Sequence, residues 1–122
     1  MVAIEKLVVA PYKFNCAYIN GSKYDVHTCG KLLKTFLERL AVENPEMFEA
    51  VIGYDILKVS RFKKEVSIIE HSKNKSKLKQ PTIITGTNYY IDTRISRYEA
   101  LDNLQNVIAK AGLNGVVHVE VQ

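Results

Sequence analysis

The pair Asn20-Gly21 stands between two runs of strand-forming residues, Tyr12 to Ile19 and Lys23 to His27. A type I′ turn needs positive φ at both central positions, and Asn-Gly accepts that conformation at little cost, so the pair predicts a tight antiparallel hairpin. Side chains alternate across a strand, so in either available register Ala17 and Ile19 share a face with Tyr24 and Val26. Phe14, Cys16 and Tyr18 are expected on the other face. The first strand is then apolar on both sides and belongs inside a sheet. Its partner carries Lys23, Asp25 and His27 on the second face, which predicts that this face is partly wet.

The remaining punctuation extends the pattern. Ala3 to Val9 reads as a strand ended by Pro11. Leu32, Leu33, Phe36, Leu37 and Leu40 form one stripe of a helix over Gly30 to Glu43. Asn44-Pro45-Glu46 supplies a cap, a proline at the first helical position and an acidic first turn, predicting a short helix through Ile52 that Gly53 stops. Tyr54 to Ser60 and Glu65 to His71 read as strands about the turn Arg61 to Lys64, and Ser72 to Pro81 as a loop. Thr82 to Thr85 and Asn88 to Asp92 read as a second hairpin about Gly86-Thr87, with a type II′ turn.

Ser96 and Glu99 make a capping box for a helix whose buried stripe is Ala100, Leu101, Leu104, Val107, Ile108 and Ala111. Gly112 closes it, with Leu113 placed for a Schellman contact. Val116 to Val121 is the last strand, with Val117, Val119 and Val121 inward. Hairpins outnumber crossovers. The expected class is therefore α+β, a two-layer sandwich with a mixed, mainly antiparallel sheet packed against two long helices. The last helix and strand would form one crossover unit with Asn88 to Asp92. Residues 1–122 are expected to form one domain, with a flexible lysine-rich loop at 72–81. At 122 residues the chain can bury a core without disulfide or metal staples.

Charge is where function enters. The stretch from Arg61 to Lys79 holds seven basic residues against two acidic ones, whereas the rest of the chain is nearly balanced at ten against eleven. The formal net charge of +4 thus has one source, and a local surplus predicts a site for an anionic partner. Lys73, Lys75, Lys77 and Lys79 alternate with Asn74, Ser76 and Leu78, so an extended segment would present four ammonium groups to a run of phosphates. Arg61, Lys63 and Lys64 lie at the other end of the intervening strand, roughly 20 Å away at a rise of about 3.3 Å per residue. The plainer alternative is a solvated loop whose lysines blunt an edge strand.

A second constellation is Arg94 and Arg97 ahead of the capped helix, with Tyr89 and Tyr90 in the preceding strand, one phenol on each face. Arginine opposes the dipole at a helix start, and a bound anion would compensate it. Pairing of Arg94 with Asp92, and of Arg97 with Asp102, would do the same without a ligand. Cys16, His27 and Cys29 form a third group. They fall short of the four ligands of a structural zinc site, and a nucleophilic Cys29 would need a group to orient His27. His118 reads as a half-buried strand histidine.

The chain has no P-loop, no Gly-x-Gly-x-x-Gly and no nucleophile elbow. No catalytic residue, metal ligand or cofactor is therefore assigned, and the reading leans away from an enzyme. The expectation is a binding protein for nucleic acid or another phosphate-bearing ligand, through Arg61, Lys63, Lys64, Lys73, Lys75, Lys77, Lys79, Tyr89, Tyr90, Arg94 and Arg97. An interaction or inhibitor module for an acidic protein partner, docking through a sheet edge or face, is the alternative. A cytoplasmic location without a membrane partner is expected from the charged N-terminal run, and homo-oligomerisation is compatible with the pattern.

Overall fold

The hairpin about Asn20-Gly21 forms as its turn chemistry demands. A computed structural model describes residues 1–53 and 78–122, together with the backbone of 59–61. Asn20 and Gly21 have φ of 49° and 82°, the two positive values that a type I′ turn requires. They join β2 (Phe14–Ile19) to β3 (Ser22–Tyr24), with Ile19 opposite Ser22 and Ala17 opposite Tyr24. Residues 54–58 of the expected strand Tyr54 to Ser60, the expected strand Glu65 to His71 and the loop residues 72–77 lie outside the described residues.

The chain divides into two compact units, Met1–Phe36 with Ser96–Gln122, and Leu37–Ile95. Its class is α+β: among the described residues three α-helices accompany strands whose pairings are all antiparallel. The described strands fall into two sheets, where the sequence reading pooled them in one.

In the first unit β1 (Val2–Ala3), β7 (Val117–Val121), β2 and β3 pair in the order β1-β7-β2-β3. β2 is internal, as its two apolar faces predict. The last strand thus joins the N-terminal hairpin and not Asn88 to Asp92, so the expected crossover unit does not form. The register explains a second departure. Phe14 pairs with Val121 and Cys16 with Glu120, leaving Asn15 as an exposed bulge. One extra residue reverses the side-chain alternation, so Phe14 joins Ala17 and Ile19 on the face of Val117 and Val119. All five are buried, whereas strict alternation had set Phe14 beside Cys16. Val121, expected inward, is exposed at the sheet's end.

The strand expected over Ala3 to Val9 stops after two residues and becomes a 3-10 turn at Ile4–Lys6. Gln105 takes up the carbonyls that a ladder would have used: its Nε2 donates to the oxygens of Ile4 and Leu7 at 3.0 and 2.8 Å. Glu5 Oε1 accepts from the Gly115 amide at 2.6 Å. Beyond that turn Val8 and Val9 are 96% and 65% exposed.

Helix α3 (Arg97–Lys110) begins and ends as its local signals predict. Ser96 Oγ accepts from the Glu99 amide at 3.1 Å. At the other end the Leu113 amide reaches the Ile108 oxygen and the Gly112 amide reaches that of Ala109, with Gly112 at φ 69°. This is a Schellman closure. Its stripe is Ala100, Leu101, Leu104, Val107 and Ile108, plus one residue the periodicity did not mark, Asn103, whose buried Oδ1 has no partner among the described residues. Helix α1 (Cys29–Glu43) buries the five apolar residues of its expected stripe, and Asn44 Oδ1 caps α2 (Pro45–Ile52) by accepting from the Met47 amide at 3.2 Å.

The second unit holds the sheet β4-β6-β5, formed by β4 (Val59–Arg61), β6 (Tyr89–Asp92) and β5 (Pro81–Ile83). Pro81 opens its strand, where a missing N–H is tolerated. The β5–β6 connection is longer than the expected two-residue loop. Ile84 still bonds Tyr89, and the Thr87 amide reaches the Ile84 oxygen at 3.0 Å. Gly86, at φ 83°, therefore occupies the third position of a type II-like turn over Ile84 to Thr87. Glu38 Oε2 accepts from the Thr85 amide at 2.7 Å and ties that loop to the C-terminal half of α1.

Candidate functional site

Asp92 organises the end of the lysine-rich segment. It is buried, 2% exposed, and its carboxylate accepts three backbone N–H groups: Lys79 at 3.1 Å, Gln80 at 3.0 Å and Arg94 at 3.0 Å. Backbone donors aimed at a carboxylate replace the water it gave up on burial, so the group is satisfied without a cationic side chain. Thr93 adds an amide and a hydroxyl bond to the Gln80 oxygen at 3.1 Å each. Residues 79 and 80 are thereby fixed to the strand end.

This arrangement decides the fate of Arg94. The expected Asp92–Arg94 ion pair is replaced by a bond to the Arg94 amide. The Arg94 side chain is exposed, and among the described residues no carboxylate pairs with it. Lys79 is exposed beside it in sequence to Gln80, its own amide held by Asp92. Arg61 ends β4 with its backbone opposite Tyr89. Lys63, Lys64, Lys73, Lys75 and Lys77 lie outside the described residues.

The two tyrosines of β6 part company. Tyr89 is buried: its ring meets Phe48 edge-on at 5.8 Å between centroids, and its hydroxyl donates to Glu49 Oε2 at 2.7 Å. Its ring is thus packed against Phe48 and not presented to solvent. Tyr90, on the opposite face, is half-buried between Ser60 and Ile83 in the ladder.

Arg97 opens α3 in the first unit, and its surroundings were not visible in sequence. Its guanidinium carbon lies 5.5 Å from the ring centroid of Tyr12 and 5.0 Å from that of Tyr98. Both distances are within cation–π range. Nη2 also donates to the Tyr98 hydroxyl at 3.1 Å. No bond to Asp102 is formed; two aromatic rings and the first-turn Glu99 offset the unfavourable position of a cation at a helix start. Tyr12 and Tyr98 remain 73% and 56% exposed. The one sequence signal for Tyr98 was its place off the buried stripe, next to Arg97. For Tyr12 there was none, because it meets Arg97 only through the fold.

Cys16, His27 and Cys29 do not come together as a site. Cys16 Sγ contacts Glu120 Oε2 at 3.8 Å, and the thiol pushes the Tyr18 hydroxyl above its ordinary value, chiefly by hydrogen bonding. His27 Nδ1 donates to the Phe14 oxygen at 3.2 Å, and its Nε2 lies 3.0 Å from Asp25 Oδ1. Cys29 is buried at the start of α1, and burial pushes its thiol up to about 11. A thiol held protonated in this way is the opposite of an activated nucleophile. Among the described residues no group of three or more His, Cys, Asp or Glu side chains is placed to hold a metal ion, and no helix is long and apolar enough to cross a membrane.

Comparison with family models, with curated proteins and with solved structures finds no match to this chain.

Proposed function

We propose that this chain is a non-enzymatic binding protein for nucleic acid or a similarly phosphate-bearing polymer. The observation that carries the reading is that Arg94 and Arg97 are exposed and pair with no described carboxylate: Asp92 accepts backbone amides, and Arg97 meets the rings of Tyr12 and Tyr98. Among the described residues, intramolecular neutralisation, the plainer explanation for both arginines, is thus missing. The sequence surplus of five charges between Arg61 and Lys79 adds long-range attraction to an anionic polymer. Lysine ammonium groups attract such a ligand as point charges; a guanidinium set against aromatic rings, as that of Arg97 is, can hold it in a defined geometry.

Fluorescence anisotropy with labelled oligonucleotides tests this. Replacing Lys73, Lys75, Lys77 and Lys79 by alanine is expected to abolish retention near 100 mM salt and to flatten the dependence of log affinity on log salt. Oligonucleotide binding unchanged in that variant would sink the reading.

Val8 and Val9, exposed in the segment before Tyr12, favour a second reading. Aliphatic groups in water gain little from phosphate and more from a protein surface. Under that reading the lysines steer an acidic protein partner, the wild type shows no affinity for random oligonucleotides near 100 mM salt, and a pull-down retains one protein.

A further inference from the structure

We infer that Tyr12, Arg97 and Tyr98 form a stacking clamp for unpaired nucleotides, so that the ligand of this protein is single-stranded and not duplex. The inference rests on the nucleic-acid reading and specifies the form of the polymer.

Three observations combine. The guanidinium of Arg97 stands 5.5 and 5.0 Å from two ring centroids, and the bond from Nη2 to the Tyr98 hydroxyl fixes the second ring against it. Tyr12 follows Pro11, whose fixed φ restricts the approach of the chain, and Tyr98 belongs to the first turn of α3. The cluster is therefore built before any ligand arrives. Each tyrosine also keeps more than half of its surface in water while the guanidinium lies over its ring. A large aromatic surface fixed in solvent has a purpose when a flat partner covers it.

The charge around the rings selects that partner. Arg97 is exposed, Lys13 next to Tyr12 is exposed as well, and neither meets a described carboxylate. A flat π-face joined to a negative backbone is the complement, which is the chemistry of a nucleotide. In a duplex the base faces are covered by their neighbours, so only an unpaired, unstacked base can lie on these rings. Nothing in the cluster reads a base edge in a fixed pattern. Sequence tolerance is the consequence.

The test compares an unstructured single-stranded dodecamer with the duplex of the same sequence, by anisotropy at about 50 mM salt. The clamp predicts tighter binding to the single strand by about tenfold, a loss of about tenfold on the single strand in Tyr12→Ala and in Tyr98→Ala, and duplex binding unmoved by either. Tyr12→Phe keeps its ring and should bind the single strand like the wild type, whereas Tyr98→Phe, which loses the bond from Arg97, should fall between the wild type and Tyr98→Ala. The chain has seven tyrosines and no tryptophan, so its intrinsic fluorescence is tyrosine emission. A stacked base should quench part of it in the wild type and less in the two alanine variants. Equal affinity for single strand and duplex, or alanine variants that bind the single strand as the wild type does, overturns the clamp and leaves the electrostatic reading standing. Absence of binding to either oligonucleotide overturns both, as does capture of a protein partner through Tyr12 and Tyr98 in place of nucleic acid.

Discussion

Asp92 and Arg97 are close in sequence, yet the protein treats their charges in opposite ways. The carboxylate is taken out of water and given three backbone amides, whereas the guanidinium is left in water between two rings. A buried charge with every bond supplied internally is an architectural element. An exposed charge set among aromatic rings, with no described carboxylate paired to it, is available to something else. The difference separates the residues that hold the second unit together from those that would meet a ligand, and it can be broken experimentally.

The largest effect should come from Asp92. Asp92→Ala removes the acceptor of three amides and is expected to lower stability by about 3 kcal/mol, read from urea denaturation; Asp92→Asn keeps one acceptor and should lose about half of that. A loss below about 0.5 kcal/mol would mean that water replaces the carboxylate and that its burial organises nothing.

Next in size is the thiol of Cys29. Its pKa rises from an ordinary 9.0 to about 11 in the folded chain, so the unfolded state gives up the proton first as pH increases. The contribution is complete below pH 9 and disappears between about pH 9 and 11, worth up to about 3 kcal/mol. Denaturation of the wild type and of Cys29→Ala at both ends of that window should show the wild type losing more with alkali. Parallel losses would show that the thiol is not buried.

Smaller still is the cap of α3. Ser96→Ala should cost about 1 kcal/mol, because the Glu99 amide loses its acceptor. Arg97→Ala, one residue later, sharpens the comparison. It should leave stability within about 0.5 kcal/mol, since an exposed cation–π contact is weak and the substitution also relieves a cation at the positive end of the helix. The same variant should weaken single-strand binding by about tenfold. A large stability loss in Arg97→Ala would return that residue to an architectural role.

What could be read from the sequence follows the range of the interactions. The Asn20-Gly21 turn, the Asn44 and Ser96 caps and the Gly112-Leu113 closure each involve residues within a few positions of one another, and all formed as expected. The bulge at Asn15 was hidden, because alternation alone says nothing of an extra residue opposite Glu120 and Val121. The pairing of β7 with β1 and β2 joins the two ends of the chain, and nothing local announces it. At the site, Arg94 and Arg97 stood out as cations at a helix start. The sequence did not disclose that Tyr89 turns inward onto Phe48 and Glu49, or that Tyr12 crosses the fold to meet Arg97. Both depend on which face packs.

The salt dependence of oligonucleotide binding tests the central claim most directly. Titrating a single-stranded dodecamer against the wild type between about 50 and 200 mM salt should give a log–log line of slope near −0.7 for each phosphate neutralised; the variant lacking Lys73, Lys75, Lys77 and Lys79 should give a shallower line at lower salt and lose binding near 100 mM. An affinity indifferent to salt, or no binding at about 50 mM, would contradict the assignment of this protein to nucleic acid.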